Sequence, residues 1–523
     1  MQNIQFKNPF VFITTPFQLQ DGYKLFHIKG HKKGTTGIYA NLTARKSRRA
    51  GINKYVLFSL QAWLKDLNAV FQNLFFNLTE DEAVDNFNDF YVSYFGEADQ
   101  VVSDRIRGLH RLGYLPVKIK ALKEGTAVPH GIPMITVKST SDEFCWFEQW
   151  LETWLSTSVW QPGTTSTTSM HYRKIFNHYN ALTSDHDIFI QFQGHDFSMR
   201  GMPGIHAGSA SGAGHLLFWA GTDTCSSLPW VNYYYGGDNG LVGTSVRATE
   251  HCLAQEYLDE FDNDTDKSDR AYLQSVLDMC PSGIVSIVCD TYDFYNFITN
   301  ILPDFKDQIM ARDGKVVLRP DSSPKTPVEI IVGDSEAPAG SPENKGLVQC
   351  LYEIFGGTVN SKGFIDLDPH ISAIYGDSIQ LVYTKEILEG LMKKQFSSNN
   401  IVLGFGSGGY QAWGGGLNGE SSDSWGIGRD TDGIAMKATA IASGSGENKH
   451  WRATYKDPKT DNSGKKSAKG FLRVDLVDGE YVLRQNVTEE EEQGGELELV
   501  YENSQILRHQ SFKDVREQAK KFL

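Results

Sequence analysis

The sequence predicts an α/β protein built around a parallel sheet, and residues 283–409 carry the prediction. Four short apolar runs, 284–288, 316–318, 371–375 and 401–405, each stop in polar or glycine residues: Cys289-Asp290, Arg319-Pro320-Asp321, Gly376-Asp377 and Gly406-Ser407-Gly408-Gly409. The segments between them have helical periodicity, and parallel neighbours need a connection of that length to return to the same edge. In barrels and in open α/β sheets, ligands bind where the carboxyl ends of the strands point, so all four endings would share one rim. A carboxylate, a cation with a carboxylate, a second carboxylate and a glycine loop suit a small anionic substrate such as a sugar phosphate.

Each element follows from local signals. Ser341 as N-cap, Pro342 at the first helical position, apolar Leu347, Val348, Leu351, Tyr352 and Phe355, and the stop Gly356-Gly357 define one crossover helix. A second starts near Thr384 with Ile387, Leu388, Leu391 and Met392 on one face, and its Lys393-Lys394 suits the negative helix end. The glycines at 406–409 let the backbone come close to an anion and present N–H groups to it. This loop is neither GxGxxG nor a Walker loop, so dinucleotide binding in the Rossmann manner is not supported.

Upstream, Asp21-Gly22-Tyr23-Lys24 precedes a basic cluster at Arg45, Lys46, Arg48 and Arg49, read as a solvated loop. Residues 55–76 read as an amphipathic helix, 117–122 and 134–137 as strands of a small antiparallel unit outside the parallel sheet, and 144–160 as an aromatic-rich helix. Glu152 in that helix sits among bulky residues and either serves packing or meets a cation, because a buried carboxylate needs a partner. Residues 187–192 read as a further strand leading to His195-Asp196-Phe197. His186, Asp187, His195 and Asp196 lack the spacing of a metal set. Gly204, Gly208 and Gly212 let a helix pack close to the sheet, and Asp223 ends another apolar run. By itself His251, after Glu250, is a surface or satisfied core histidine. Residues 411–428 read as a long loop, Asp478-Gly479 as a hairpin turn, Glu489 to Glu492 as a solvated turn, and the tail from Phe512 as a helix.

Composition sets the outer bounds. A chain of 523 residues has room for several domains and a large core. With 50 basic and 64 acidic residues the net charge is −14, against a general nucleic-acid surface or an anionic-membrane binder. Six scattered cysteines without CxxC point to reduced thiols and a cytoplasmic setting. Residues 1–10 lack a signal-peptide layout, and no apolar run approaches the roughly 20 residues of a membrane span.

In order along the chain, several phrases resemble the nicotinamide phosphoribosyltransferases of the type II phosphoribosyltransferase family: Asp-Gly-Tyr23-Lys, Glu152 in Leu-Glu-Thr, His195-Asp-Phe197 with Arg200-Gly, Gly-Thr-Asp223-Thr, Ser245-Val with Glu250-His251, Ser286 with Asp290 and Tyr292-Asp293, Arg319-Pro-Asp321-Ser, Gly376-Asp377, Phe405-Gly-Ser-Gly-Gly409, Arg429-Asp and Lys456-Asp-Pro. The resemblance is nearly full length. It implies an irregular (β/α) TIM-like barrel with an additional mixed α+β domain built from the N- and C-terminal parts. The divisions are 1–180 as the N-terminal α+β part, 181–410 as the barrel carrying the active site, and 411–523 as a C-terminal part packing with the N-terminal domain.

The reaction implied is transfer of phosphoribose from phosphoribosyl pyrophosphate to nicotinamide, with magnesium bound through substrate and water rather than protein ligands, and with ATP as co-substrate. Phe197 and Tyr23 of the second subunit in a homodimer clamp the pyridine ring, and Arg200, Asp223, Ser245 and Arg319 surround it. Asp223 accepts from a carboxamide and repels a carboxylate. Asp321, Gly376 and Asp377 hold the ribose, Gly408 and Gly409 the 5-phosphate, Arg429 and Lys437 complete that site from the other subunit, and Arg45 and Lys456 take pyrophosphate or nucleotide phosphates. His251 is phosphorylated from ATP, with Asp290 orienting its ring. The sequence departs from the family at Met199 for Tyr, Arg247 for Pro and Tyr410 for a third glycine, and residues 411–428 form an insertion just before Arg429. The nicotinate-using relative and a non-catalytic binder of the mononucleotide are the alternatives.

Overall fold

The computed structural model describes residues 10–408, 426–460 and 466–523. The four apolar runs are the strands Ser282–Val288, Asp313–Arg319, Ile371–Tyr375 and Ile401–Phe405, paired side by side and all parallel. Gly194–Asp196 and Gly221–Thr222 extend the sheet on one side and Arg247–Ala248 on the other, giving seven parallel strands. The sheet curls as a half-barrel. Just before the strand at one edge, Thr244 accepts from the Thr222 N–H and donates to the Ala220 carbonyl at the opposite edge.

Strand periodicity separates two environments. Val285, Ile287, Val316, Leu318, Ala373 and Leu403 are buried in the main apolar core. Their alternates Ile284, Ser286, Val317, Arg319, Ser372, Ile374 and Val402 line a cavity on the inner face. The crossover helix Pro342–Phe355 begins as the sequence requires, with the Ser341 side chain accepting from the Asn344 N–H, and Gly356 ends it at φ 79°. The next helix is Leu381–Lys393.

The second unit joins the two ends of the chain. Its seven-stranded sheet runs His450–Ala453, Ile434–Ser443, Thr35–Ala44, Pro133–Ser139, Val117–Ala121, Glu498–Glu502, Gln505–Ile506, with antiparallel pairing throughout. The hairpin Phe471–Val477 and Glu480–Val487 turns at Asp478-Gly479, both at positive φ, as that dipeptide favours. The terminal helix is Phe512–Lys520.

Several expectations need correction. Residues 54–56 are a strand, and the helix starts at Leu60 and ends in a π turn, Gln72–Phe76. Residues 187–192 end in the 3-10 turn Ile190–Phe192, and the strand lies at Gly194–Asp196. The aromatic helix does not stop near Trp160: after the short Phe147–Trp150, Glu152–Thr183 runs through Pro162 for 32 residues. Its first turns lie in the N-terminal core and its later ones, from Met170, in the parallel-sheet core, so it ties the two units together. Between them Ser166, Thr167 and Thr168 return their hydroxyls to carbonyls one turn earlier, which lets a polar stretch be buried.

The small-residue helix Ile205–His215 packs against this helix rather than only the sheet: a Cβ on Gly214 would stand 2.6 Å from the Pro162 carbonyl oxygen. Arg49 is no solvated loop residue. It is 6% exposed and pairs with fully buried Asp432 at 2.8 Å. Glu489–Glu492 is a short helix whose Glu492 is buried against Lys120. No helix among the described residues is long and apolar enough to cross a membrane.

Candidate active site

Because every strand of the curled sheet is parallel, its carboxyl ends form one rim, and most of the candidate residues sit there or just inside it. Phe197 follows Gly194–Asp196, Asp223 follows Gly221–Thr222, His251 lies beyond Arg247–Ala248, and Asp290, Asp321, Asp377 and Gly408 follow the four central strands. The cavity on the inner face has a volume of about 810 Å³. Phe197, His195, Asp223, Ser245 and Arg319 line its rim end, and it continues past Ser286 to Arg312, Lys315 and His370 near the opposite strand ends.

Glycine shapes the aromatic wall. A Cβ at Gly404 would lie 2.2 Å from the Phe197 ring, and one at Gly376 would lie 2.3 Å from it, so the ring rests directly on the backbone of two adjacent strands. Beside it, the Asp223 Oδ1 accepts from His195 Nε2 at 2.8 Å and from Ser245 Oγ at 2.9 Å. Burial raises the Asp223 pKa, but these two donors and the Arg319 charge outweigh it and hold it below the usual carboxylate range. Arg319 Nη2 donates to the Thr249 carbonyl at 2.8 Å, which ties the cavity wall to the start of the His251 helix.

Next to this lies an acidic group. Asp290 Oδ2 accepts from the Asp321 N–H at 2.8 Å and from Ser322 Oγ at 2.6 Å, while its Oδ1 is buried without a partner. Burial and the neighbouring Asp290 and Asp377 charges raise the Asp321 pKa against the pull of Arg319 and His251. The His251 ring is held by Thr291, Nδ1 to Oγ1 at 3.1 Å, and not by Asp290, which is engaged with the 321–322 backbone and hydroxyl. At the glycine turn, a Cβ on Gly408 would sit 1.7 Å from Ser211 Oγ, and the neighbouring Ser407 hydroxyl is buried without a partner. Gly409, Tyr410 and most of the 411–428 insertion lie outside the described residues.

The remaining candidates form a second group. Lys24, 2% exposed, pairs with Glu152 at 2.6 Å, and Lys437 reaches the other Glu152 oxygen at 3.4 Å. Glu152 thus meets two cations. Burial lowers the Lys437 pKa and the Arg45 and Lys24 charges add to it, although Glu152 opposes them. Tyr23 is 61% exposed at the start of its helix, and partial burial with the Asp21 and Glu152 charges raises its pKa against the pull of Arg429. Arg45 Nε donates to the Gly433 carbonyl, and the exposed Arg429 pairs with Asp430. Among the described residues no hydrogen bond or ion pair joins this group to the rim. Arg200 is exposed on the turn Met199–Gly201 and does not line the cavity, Arg247 is exposed, and Lys456 lies on an exposed stretch after His450–Ala453.

Sequence reading missed His195 at the cavity wall and Thr291 beside the His251 ring. The available signal was strand periodicity: His195 and Phe197 are two apart and share a face, while Asp196 points away to Thr224 Oγ1 at 2.6 Å.

The fold is shared with the crystal structure of nicotinate-nucleotide pyrophosphorylase from Pyrococcus furiosus, at a TM-score of 0.53 and 12% identity over 97% of this chain and 94% of that one. Sequence then resolves the family. Residues 192–505 match the nicotinate phosphoribosyltransferase (NAPRTase) family. The chain is 37% identical over 97% of both sequences to the nicotinamide phosphoribosyltransferase of Acinetobacter baylyi, and 31% identical to that of Xanthomonas campestris over 78% of this chain and 79% of that one. A similar enzyme of Mycoplasma pneumoniae is 29% identical over 87% of this chain. The chain belongs to the nicotinate phosphoribosyltransferase family.

Proposed function

We propose that this protein transfers the 5-phosphoribosyl group from phosphoribosyl pyrophosphate to nicotinamide, giving nicotinamide mononucleotide and pyrophosphate for NAD salvage, with ATP hydrolysis coupled through a phosphohistidine. The observation that carries the choice of base is Asp223, a carboxylate held ionised at the cavity wall beside the Phe197 platform. An ionised acceptor favours the amide N–H of nicotinamide and repels the carboxylate of nicotinate. The full-length relatives named nicotinamide phosphoribosyltransferase support the same choice. The nicotinate-using alternative draws on Arg319 at the same wall, but Asp223 stands beside it.

Displacement of pyrophosphate at C1 of the ribose builds positive charge on the sugar and negative charge on the leaving group, and oriented charges stabilise both. Asp321 and Asp377 face the sugar side with Gly376, and Arg319 and Ser245 flank the base with Asp223. Arg200, exposed on the turn that follows Phe197, is assigned to the base site by the family resemblance. Gly408 and Gly409 offer N–H groups to the 5-phosphate. Magnesium, when bound, would neutralise the pyrophosphate through substrate oxygens and water. Among the described residues no group of three or more acidic, histidine or cysteine ligands offers a protein cage. With Nδ1 of His251 held by Thr291, Nε2 is the nitrogen left to attack the terminal phosphorus of ATP, with ADP leaving.

The separation of the two residue groups supports a homodimer in which Tyr23, Arg45, Arg429, Lys437 and Lys456 of one copy complete the rim of the other. Among the described residues Arg45 and Lys456 have no ion pair, Arg429 and Lys437 have Asp430 and Glu152, and in this reading all four take phosphates. We read the curled sheet as an irregular (β/α) TIM-like barrel spanning 181–410, with 1–180 and 411–523 forming the second domain, in a cytoplasmic enzyme whose six cysteines are unbridged. The test is direct. Purified protein given nicotinamide, phosphoribosyl pyrophosphate and magnesium should form nicotinamide mononucleotide; binding of the mononucleotide without synthesis would make the protein a non-catalytic binder.

A further inference from the structure

His195 stands within reach of the base pocket without a role in the chemistry described above. It is 8% exposed, its Nε2 lies 2.8 Å from Asp223 Oδ1, and its ring centre is 5.1 Å from that of Phe197. A Cβ on Gly221 would come within 2.6 Å of its Nδ1, so the ring lies against the neighbouring strand at a glycine that leaves it room. Ser245 Oγ donates to the same Oδ1 at 2.9 Å. Asp223 therefore has one oxygen occupied by two donors and the other unengaged among the described residues. A carboxylate with both oxygens unengaged would rotate and share either with the donors, and its free lone pairs would have no fixed direction.

We propose that His195 is a positioning and specificity-determining residue: by saturating Oδ1 it fixes the plane of Asp223 and leaves Oδ2 as a single, directed acceptor for the carboxamide N–H of the base. The inference rests on the nicotinamide reading of the site. The second effect is on rejection. A carboxylate locked in one orientation keeps its charge against an incoming nicotinate carboxylate, whereas an unlocked one can turn aside. Loss of His195 should therefore weaken nicotinamide use and relax the discrimination together, which a merely structural residue would not do.

Side-chain reach supplies the controls. Glutamine places an amide N–H where Nε2–H stands, whereas asparagine places its amide near Nδ1, too short to reach Asp223. The experiment measures kcat/KM for nicotinamide and for nicotinic acid in the wild-type chain and in His195→Gln, His195→Asn and His195→Leu, each checked for its melting temperature. A hydrogen bond to a charged group contributes enough that its loss is read as roughly a tenfold or larger change. The expected result is that the nicotinamide-to-nicotinate ratio falls about tenfold in His195→Asn and His195→Leu, mainly through KM for nicotinamide, and is retained within about threefold in His195→Gln. Should His195→Leu fail to fold, the Gln and Asn pair still decides. Equal ratios in Gln, Asn and wild type overturn the inference while leaving the nicotinamide reading intact. A wild-type chain that prefers nicotinic acid overturns the nicotinamide reading itself.

Discussion

The platform under the base gives the sharpest structural prediction. Gly404 lies within Ile401–Phe405, in extended backbone that alanine also adopts, so Gly404→Ala tests space and not backbone strain. The added Cβ would stand 2.2 Å from both Cδ2 and Cε2 of Phe197, and 3.1 Å from the Gly376 Cα. Carbon atoms in contact sit about 3.5–4.0 Å apart, so the ring must move outward by about 1.5 Å. Gly376 lies against the same ring, and Phe197 lines the cavity, so a displacement away from the two strands enters the space proposed for the pyridine ring. A misplacement of about 1 Å at a positioning surface costs on the order of a hundredfold in rate, and we expect kcat/KM for nicotinamide to fall by about that factor, chiefly through KM. Overpacking should also cost about 1–3 kcal/mol of stability, a shift of a few degrees in melting temperature and not a loss of fold. The assay is steady-state kinetics with varied nicotinamide, alongside a thermal melt. If Gly404→Ala folds and keeps kcat/KM within about threefold of wild type, Phe197 is not the platform.

Three further outcomes follow from the same geometry. Asp223→Ser should raise the ratio of nicotinic acid to nicotinamide turnover, and an unchanged ratio would remove Asp223 from base selection. His251→Ala should abolish stimulation by ATP while slow, uncoupled synthesis persists, and undiminished stimulation would refute the phosphohistidine. Arg49→Ala should destabilise the fold by about 3–5 kcal/mol, because it leaves Asp432 buried with the His130 ring and the Thr164 hydroxyl as its side-chain partners among the described residues. Burial raises the Asp432 pKa, but Arg49 and His130 more than offset this and bring it down to about 2. A depressed folded pKa means the contribution is present above the ordinary aspartate value and is lost only as the pH falls through about 2, so wild-type melting should be insensitive to this pair between neutral pH and about pH 4.

The sheet was legible because parallel strands buried on one face and bounded by polar endings leave a local imprint: 371–375 and 401–405 coincide with the strands formed. The caps at Ser341 and Gly356 and the Asp478-Gly479 turn were legible for the same reason, since each is decided by a few adjacent residues. What failed to show was decided by distant partners. Residues 163–169 carry no apolar period, yet they are buried because their hydroxyls bond within the helix and Ile205–His215 packs closely on them. Arg49 looked like one more surface cation until Asp432, far along the chain, closed over it.

The site divides in the same way. Its rim residues could be placed from strand ends, and Glu152 could be recognised as needing a partner. Neither the Lys24–Glu152–Lys437 arrangement nor the His195–Asp223 contact could be read, because each joins residues from different elements. Thr291 as the partner of the His251 ring was equally hidden, although it directly follows the Asp290 that sequence reading had favoured.

Base selection under turnover tests the central claim most directly. The purified full-length chain is given phosphoribosyl pyrophosphate and magnesium with nicotinamide and nicotinic acid at equal concentration, with and without ATP, and both mononucleotides are quantified. The structure of the Asp223 wall predicts predominant formation of nicotinamide mononucleotide, with the yield raised by ATP. Predominant formation of the nicotinic acid product would contradict it.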